Sequence, residues 1–435
     1  MPDNYLPRVR HQYEALPYPH RDPQDEHHRL EQTWLEDLPM VNHYCFAGRQ
    51  TFRNGFRALV AGGGPGDATV FLAEPLRHTD AQVVHLDMSS ASIAIAQARA
   101  AIRGLTNITW VHDSLLNLPT LGLGHFDYIN CSGVLHHLAD PDAGLRALQQ
   151  VLKDDGALGL MVYATTGRTA IYQMQTLLRM VHTDADDDSR RLTTTRDLLG
   201  SLPGSNWFVR AANLHQDHKE GDAGLYDLLL HSQDRAYSVD ELFDWLADGH
   251  GLHLSFSDVQ RGRAPYLPHM VLGRKPPAML AQLKTRPRRQ QYAMAELLGG
   301  DIVTHSFYAT PSAATTAPYG DVDYVPFFFH EPLTGEIAAQ VFATNRGQPF
   351  LLSHQHSGVA LTVNPGKYGP QILRLIDGQR SFGQIFDLFR SQWHGKAAAP
   401  DNTTLFADFA EAYDTLNALE RLLLRHHSVP GLGQV

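Results

Sequence analysis

The chain has 435 residues, of which 43% are hydrophobic and 19% are charged. This composition excludes a wholly disordered chain, and the length predicts two or three domains. Because the net charge is −10 at pH 7, the chain lacks the basic excess of nucleic-acid-binding proteins, and we expect no nucleic-acid partner. No apolar stretch approaches the roughly 20 residues that span a bilayer, so we expect no membrane association.

Two further features bear on where the protein works. The chain does not open with a basic segment followed by an apolar one, so the sequence predicts no secretory signal. Its two cysteines, Cys45 and Cys131, exclude a disulfide framework, and a cytoplasmic location is the simplest expectation. Arginine outnumbers lysine by 30 to 6, which is typical of a GC-rich bacterial gene.

Residues 1–55 are expected to form a helical N-terminal cap. The segment 4–45 is rich in aromatic side chains, and Pro17 and Pro19 should end its first helix because proline fixes φ and lacks an N–H. A second helix is predicted around residues 30–38.

From residue 56 onward, short apolar runs alternate with helical segments, which predicts βαβ units and a parallel sheet of the α/β class. The predicted strands are Ala58–Ala61, Val83–Leu86, Ile108–Val111, Tyr128–Cys131 and Leu158–Tyr163, followed later by Leu252–Val259 and His269–Gly273. The helices predicted between the first five strands are Ala68–Leu76, Ser92–Ile102 and Ala143–Leu152. Ser238 and Glu241 have the spacing of a capping box that opens a later helix.

The sheet domain is predicted over residues 56–275. A polar insertion at residues 183–236 is placed over the carboxyl edge of the sheet. Residues 276–435 are predicted to form a smaller, mainly helical C-terminal accessory domain. Within it, residues 368–425 have a compact helical pattern, and Ser381 is placed to cap a helix.

A glycine-rich loop follows the first predicted strand and precedes a helix. Gly62, Gly64 and Gly66 let its backbone turn tightly and approach a ligand closely. Asp87 closes the next predicted strand, where a carboxylate can bind the two hydroxyls of a ribose. Sheets that bind nicotinamide dinucleotides and sheets that bind S-adenosylmethionine both use this pair, so these two features leave both ligands open.

Three later motifs separate the two alternatives. They are Trp110–Leu115, Phe126–His137 and Leu152–Gly156, each at the edge of a predicted strand. With these motifs in this order, the chain resembles the class I S-adenosylmethionine-dependent methyltransferases, in the branch that has Leu-His-His after strand four. The resemblance covers residues 56–165 and, more loosely, 236–274. It implies a Rossmann-like, seven-stranded sheet and S-adenosylmethionine as cofactor.

The resemblance also implies a role for each motif residue. The three loop glycines would lie beneath the methionine part of the cofactor, and Asp87 would take the ribose hydroxyls. The residues implied to contact the adenine are Met88, Asp113 and Ser114. Those implied to line the cofactor near the transferred methyl group are Cys131, Ser132 and Val134.

The sequence departs from the family at Val60, two residues before the first glycine, where an acid is usual. That acid commonly orders the amino-acid end of the cofactor. Tyr13 or Tyr18 can substitute, because their segment resembles a short motif that precedes some methyltransferase domains of this branch. Both are predicted to line the substrate pocket, and the alternative is an aromatic helix end packed into the core.

Methyl transfer depends chiefly on alignment, and a general base is needed only when the acceptor must lose a proton. His136 and His137 follow strand four, where the acceptor should lie, and histidine has a suitable pKa for a base. Lining of the pocket and plain packing are the alternatives for this pair. Tyr163, at the end of strand five, is a second candidate for the pocket wall.

The chain has no cysteine pair and no His-Glu-x-x-His motif, so the sequence predicts no metal site.

The C-terminal pattern resembles small winged-helix modules that bind peptides, and also accessory domains of some bacterial protein methyltransferases. It therefore favours a protein or peptide side chain as the methyl acceptor, with a small molecule as the alternative. A packing or dimerisation domain is an equal alternative, which leaves a homodimer open. A non-catalytic cofactor-binding protein and a nicotinamide-dependent reductase are the rival functions.

Overall fold

The structure is a computed structural model. It describes residues 6–183, 185–257, 266–272, 277–329, 334–344, 350–353, 360–364, 366–395 and 398–431. The chain divides into two compact units. The first consists of residues 1–36, 52–250 and 300–311, and the second consists of residues 37–51, 251–299 and 312–435.

The described residues form strands and helices in the following chain order. The strands are β1 Arg57–Ala61, β2 Gln82–Asp87, β3 Ile108–His112, β4 Phe126–Ser132, β5 Leu152–Ala164, β6 Ala236–Tyr237, β7 His253–Ser257, β8 Thr304–Thr310, β9 Tyr324–Phe328, β10 Phe350–Ser353, β11 Ala360–Val363 and β12 Leu422–His426. The α-helices are α1 Pro7–Ala15, α2 Leu38–Cys45, α3 Asp67–Leu76, α4 Ser90–Arg103, α5 Pro141–Gln149, α6 Thr169–Val181, α7 Asp188–Ser201, α8 Trp207–Arg210, α9 Gly221–Leu225, α10 Val239–Leu242, α11 Pro268–Leu272, α12 Pro277–Lys284, α13 Arg288–Gly299, α14 Gly335–Thr344, α15 Gly369–Leu375, α16 Phe382–Ser391 and α17 Asn402–Ala418.

Seven strands of the central sheet lie in the first unit among the residues that the structure describes. Six strands lie in the order β3-β2-β1-β4-β5-β8, and β6 pairs with the end of β5. All neighbouring pairs are parallel except β5 and β8, which are antiparallel. The strand order reverses between β1 and β4, and ligands of such sheets bind outside the carboxyl ends of the strands at that point. The predicted α/β class and the Rossmann-like, mainly parallel sheet are confirmed.

The five strands and three helices predicted before residue 165 are all present, and their ends agree within a few residues except that β5 begins six residues early, at Leu152 rather than Leu158. The helix predicted around residues 30–38 is wrong. Residues 30–36 are irregular, and α2 begins at Leu38 because Pro39 is suited to the first turn of a helix rather than to its end.

The prediction of a last sheet strand at His269–Gly273 is also wrong. Residues 268–272 form helix α11, for which Pro268 is a suitable first residue. The strand predicted at Leu252–Val259 is present as β7, over His253–Ser257, and the end of that prediction lies outside the described residues. The antiparallel strand next to β5 is instead β8, which comes from residues placed by the sequence in the accessory domain.

The predicted insertion at residues 183–236 is largely helical. Asp187 caps α7 by accepting a hydrogen bond from the Arg190 N–H, and Asn206 caps α8 in the same way. A short π-helical turn, Tyr226–Leu230, follows α9. Apolar residues of α6 and of the insertion form one buried cluster: Ala170, Ile171, Met174, Leu178, Leu192, Phe208, Leu225, Leu228 and Leu229. This packing fixes the position of the π-helical turn.

A buried ion-pair network ties the N-terminal segment to the sheet domain. The Arg99 side chain is 2% exposed and binds the carboxylates of Glu26, at 2.7 Å, and of Asp67, at 2.6 Å. Arg103 also pairs with Glu26, and Arg21 pairs with Asp67. The network holds residues 21–27 against the start of α3 and against α4.

Replacing Arg99 with methionine should lower the free energy of unfolding of the first unit by about 3 kcal/mol. The change removes the positive charge that offsets the buried negative charges of Glu26 and Asp67. Arg21 still pairs with Asp67 and Arg103 with Glu26, so the loss of stability should lie at the lower end of the range for breaking a buried ion pair. The urea midpoint of unfolding is the measurement. Arg146→Met, at an exposed pair with Asp142, is the matched control and should cost less than about 1 kcal/mol. Equal losses for the two variants would contradict the prediction.

The second unit contains helices around an aromatic-rich core. Phe382, Phe386 and Phe409 are fully buried within it. Ser381 and Gln384 form a complete capping box at the start of α16, as the sequence predicts. Strands β9 and β12 form an antiparallel ladder, and β10 pairs with β11 in the same way. The likeness of residues 368–425 to a winged-helix module stays a prediction.

The observed division of the chain differs from the predicted domain boundaries. Residues 37–51 of the predicted N-terminal cap belong to the second unit, and residues 300–311 of the predicted accessory domain belong to the first. Among the described residues, no helix is both long and apolar enough to cross a membrane.

Candidate active site

The glycine-rich loop joins β1 to α3 at the point where the strand order reverses. Gly62, Gly64 and Gly66 have φ values of 75°, 52° and 96°, in the left-handed region that side chains disfavour. A Cβ at Gly62 would lie 2.4 Å from the Val134 side chain, and one at Gly66 would lie 2.7 Å from Ala96. The loop therefore requires glycine both for its conformation and for close packing.

Asp87 ends β2 and is tied to this loop. One carboxylate oxygen accepts a hydrogen bond of 2.7 Å from the Gly64 N–H, and the other accepts one of 2.8 Å from the Ser89 N–H. Burial raises the pKa of Asp87, while these N–H groups oppose the rise. A carboxylate has about four lone-pair sites, and the Met88 N–H also acts on Asp87, so only part of its acceptor capacity is used. The hydroxyls of a ribose can take up the rest.

The ends of β2 and β3 lie side by side, which places the predicted adenine contacts next to Asp87. The Asp113 N–H donates to the Asp87 carbonyl at 3.1 Å, and the Asp113 carboxylate accepts from the Ser114 N–H at 2.7 Å. The backbone carbonyl of Met88 lies 3.0 Å from His112 Nε2. The structure thus brings together the residues predicted to contact the adenine.

The end of β4 forms the other side of the same crevice. Cys131 is fully buried, which raises the pKa of its thiol to about 12, so the thiol stays protonated and packs as an apolar group. Ser132 and Val134 are partly exposed, and Val134 packs directly against Gly62. An open glycine loop beside a buried carboxylate with spare acceptor capacity fits the cofactor that the sequence implies.

The N-terminal segment crosses this crevice. The backbone carbonyl of Tyr13 accepts a hydrogen bond of 3.1 Å from the Ser89 hydroxyl, next to Asp87. A Cβ at Gly64 would meet only the backbone carbonyl of Tyr18 within 4 Å, at 3.5 Å. Both tyrosines therefore lie beside the cofactor loop, where the sequence places them.

A buried carboxylate, Asp227, lies at the centre of a cluster beyond Tyr13. Its Oδ1 accepts a hydrogen bond of 2.9 Å from the Tyr13 hydroxyl, and its Oδ2 accepts one of 3.1 Å from the Tyr163 hydroxyl. The Gln12 amide donates a longer bond of 3.4 Å. Asp227 is 4% exposed, and no lysine or arginine pairs with it among the described residues. Burial and Asp227 together raise the pKa of Tyr13, so its hydroxyl stays protonated and donates.

Two histidine rings stack beside this carboxylate. The centroids of His137 and His231 are 3.9 Å apart. His137 Nδ1 lies 2.9 Å from the Gln233 carbonyl, which can only accept, so Nδ1 carries the hydrogen and Nε2 has the free lone pair. His231 has the opposite tautomer, because its Nδ1 accepts from the Gln233 N–H at 3.1 Å. Burial lowers the pKa of both rings, so both are neutral at pH 7.

His136 has a different environment. Its ring packs on that of Tyr163, with the centroids 3.8 Å apart, and neither ring nitrogen has a hydrogen-bond partner. Arg168 covers Tyr163 at 3.4 Å from the ring centroid and lies 3.5 Å from the Asp234 carboxylate. His136 is therefore better suited to forming the wall of the cluster than to moving protons.

His137, Asp227 and His231 lie close enough to hold a metal ion, since their ligand atoms are all within 4.8 Å. The hydrogen bonds argue against such a site. Because His231 Nδ1 accepts from a backbone N–H, its Nε2 carries the hydrogen in the neutral ring and cannot serve as a ligand. The two stacked rings also present their faces, not their in-plane lone pairs, to each other.

The structure places all the predicted site residues around the carboxyl edge of the sheet, in two adjoining groups that Tyr13 connects. Asp227 and His231 lie within the predicted polar insertion, and the sequence did not single them out. Their spacing follows no catalytic motif. The available signal was a lone acid within the apolar run Leu225–Leu230, since an acid there must find buried partners.

Comparisons with known proteins agree with this geometry. Residues 59–158 match the family described as "Methyltransferase domain". The protein syc1184_c of Synechococcus sp. is 31% identical over 327 residues, covering 74% of this chain and 76% of that protein. A Ubiquinone biosynthesis O-methyltransferase from Albidiferax ferrireducens is 30% identical over 120 residues, and the chain spans only 43% of its length.

The fold is also similar to solved structures. PKMT2 from Rickettsia typhi superposes on 91% of this chain and 76% of its own with a TM-score of 0.60, at 15% identity. Its complex with AdoHcy, the demethylated cofactor, superposes on 90% of this chain with a TM-score of 0.59. The family match, the fold and the cofactor crevice agree with one another. This chain belongs to the class I S-adenosylmethionine-dependent methyltransferases, enzymes that transfer a methyl group from that cofactor.

Proposed function

We propose that this enzyme methylates an amino nitrogen on a side chain of a protein or peptide. The observation that carries the proposal is the buried Asp227 carboxylate, which lies among Tyr13, Tyr163 and His137 without a cationic partner. An amine becomes positively charged as it takes up a methyl group. A fixed carboxylate in a site of low dielectric stabilises that charge as it develops.

When bound, S-adenosylmethionine supplies a methyl group on a good leaving group. The protein must then align the acceptor and remove its extra proton, because an ammonium ion has no lone pair for attack. His137 can take that proton at Nε2, since its Nδ1–H is held by the Gln233 carbonyl and its ring is neutral. Asp227 and the two tyrosine hydroxyls orient the nitrogen, and the ring faces of His136 and Tyr163 exclude water.

The His137→Asn variant tests the role of the base. Asparagine can keep a donor near Nδ1 but has no group at Nε2, so turnover should fall about 10²-fold while cofactor affinity changes by less than about twofold. Steady-state kinetics and calorimetry are the measurements. His136→Asn is the matched control and should lower turnover by less than about tenfold. A small loss in His137→Asn would favour pocket lining for this residue.

A small-molecule acceptor is the second candidate. It is favoured by the 30% identity to ubiquinone biosynthesis enzymes, which covers part of the sheet domain. Such an acceptor would use the same cofactor crevice, so the cofactor residues do not distinguish the two candidates.

One experiment separates them. The enzyme and S-adenosylmethionine labelled in its methyl group are incubated with bacterial lysate, and the label is followed into protein and into small molecules. We expect the label in protein, and after acid hydrolysis in a methylated amino acid with a nitrogen-bound methyl group. Label confined to small molecules would overturn the proposal in favour of the second candidate.

A further inference from the structure

Val60 leaves the cofactor crevice without the acid that the family usually has at this place. Val60 is buried in β1 and pairs in register with Asn130 of β4. The two residues are opposite each other in neighbouring strands, so their side chains lie on the same face of the sheet. The strands β1 and β4 are also those between which the strand order reverses.

A carboxylate from elsewhere in the chain reaches this place. The Asn130 side-chain amide donates a hydrogen bond to Glu36 Oε1, although the two residues are 94 positions apart. Glu36 therefore contacts the residue that lies opposite Val60 in the neighbouring strand. The backbone next to it is held firmly, because the Leu35 carbonyl accepts hydrogen bonds from the hydroxyls of Tyr128 and Tyr308.

Glu36 is 3% exposed, and no arginine, lysine or histidine pairs with it among the described residues. Asn130 donates a hydrogen bond to Glu36, and the charge of Asp67 repels that of Glu36. Burial raises the pKa of Glu36 to about 7. A buried carboxyl with no counter-charge is costly to ionise, and a cation brought by a ligand would remove that cost.

We propose that the Glu36 carboxylate binds the cationic amino group at the amino-acid end of S-adenosylmethionine, in place of the acid missing at Val60. The sequence offers Tyr13 and Tyr18 for this role, but the Tyr13 hydroxyl is committed to Asp227. Burial raises the pKa of both tyrosines, so neither supplies a negative charge at pH 7. The inference rests on the cofactor and not on the identity of the methyl acceptor.

Two ligands that differ only at this end make the test specific. S-adenosylhomocysteine has the amino-acid end, and 5′-methylthioadenosine lacks it. The Glu36→Gln variant keeps the shape of the side chain and removes its charge. We expect calorimetry to show about tenfold or greater weakening for S-adenosylhomocysteine and less than about twofold for 5′-methylthioadenosine.

Glu31→Gln, on the same segment but partly exposed and paired with Arg21 and Arg29, is the matched control and should change neither affinity by more than about twofold. Equal effects of Glu36→Gln on both ligands, or no effect on either, would overturn the proposal. Binding of 5′-methylthioadenosine in every variant would still identify the nucleoside site, so failure of the Glu36 assignment is distinct from failure of the cofactor assignment.

A measurement on the unmodified enzyme covers the case in which Glu36→Gln does not fold. At pH 7 a bound ammonium group would favour the ionised form of Glu36, so binding of S-adenosylhomocysteine should release a fraction of a proton. Calorimetry in buffers of different ionisation enthalpy detects that release. It should be absent for 5′-methylthioadenosine, and equal proton release for the two ligands would also overturn the proposal.

Discussion

Replacing Asp87 with asparagine should weaken S-adenosylmethionine binding by about 10²-fold or more. The carboxylate is expected to accept hydrogen bonds from both ribose hydroxyls, and each charge-assisted bond is worth about 1.5–3 kcal/mol. Asparagine loses the charge and turns an NH₂ group toward one of the backbone N–H donors, Gly64 or Ser89. Isothermal calorimetry on the folded variant is the measurement.

The control for Asp87→Asn is Asp155→Asn, an exposed acid at the other end of the sheet. It should leave the affinity unchanged. Asp87 is expected to bind the ribose, which both S-adenosylhomocysteine and 5′-methylthioadenosine contain. Its replacement should therefore weaken the binding of both ligands, whereas Glu36→Gln should weaken the binding of S-adenosylhomocysteine only. Unchanged binding by a folded Asp87→Asn variant would show that the motif has been assigned wrongly.

Replacing Asp227 with asparagine should lower kcat/KM for the acceptor by about 10²-fold or more. The change removes the buried negative charge that is expected to stabilise the methylated nitrogen, and it disturbs the acceptors of the Tyr13 and Tyr163 hydroxyls. Cofactor affinity should change by less than about threefold, because Asp227 bonds to Tyr13 and not to the residues expected to hold the cofactor. Acceptor kinetics at saturating cofactor are the measurement.

Asp222→Asn is the matched control, since this acid lies in the same insertion and pairs with Arg196 at the surface. Its kinetics should equal those of the unmodified enzyme. An Asp227→Asn variant that loses cofactor affinity and turnover in equal measure would indicate a structural role for the cluster. In that case the amine assignment would have to be withdrawn.

The accessory region shows how much of the division of the chain depends on tertiary structure. Prolines and arginines cluster after residue 275, which by sequence indicates a linker and predicts that a fragment ending there keeps the whole sheet. The structure places β8, at Thr304–Thr310, in the sheet of the first unit along six residues of β5. Such a cut would remove a strand and expose the edge of β5, so a fragment ending there should aggregate.

The sequence by itself determined the first five strands, the helices between them, the glycine loop and Asp87. These features depend on local patterns, namely the periodicity of apolar residues, the turn chemistry of glycine and the position of an acid at a strand end. Tertiary structure alone decided the partners of Tyr13, the substitute for the acid at Val60 and the antiparallel strand β8 beside β5. Tyr13 and Asp227 are 214 positions apart, and Asn130 and Glu36 are 94 apart, so no local pattern relates them. Their meeting depends on which faces pack together, because each buried polar group must find its partner within the folded chain.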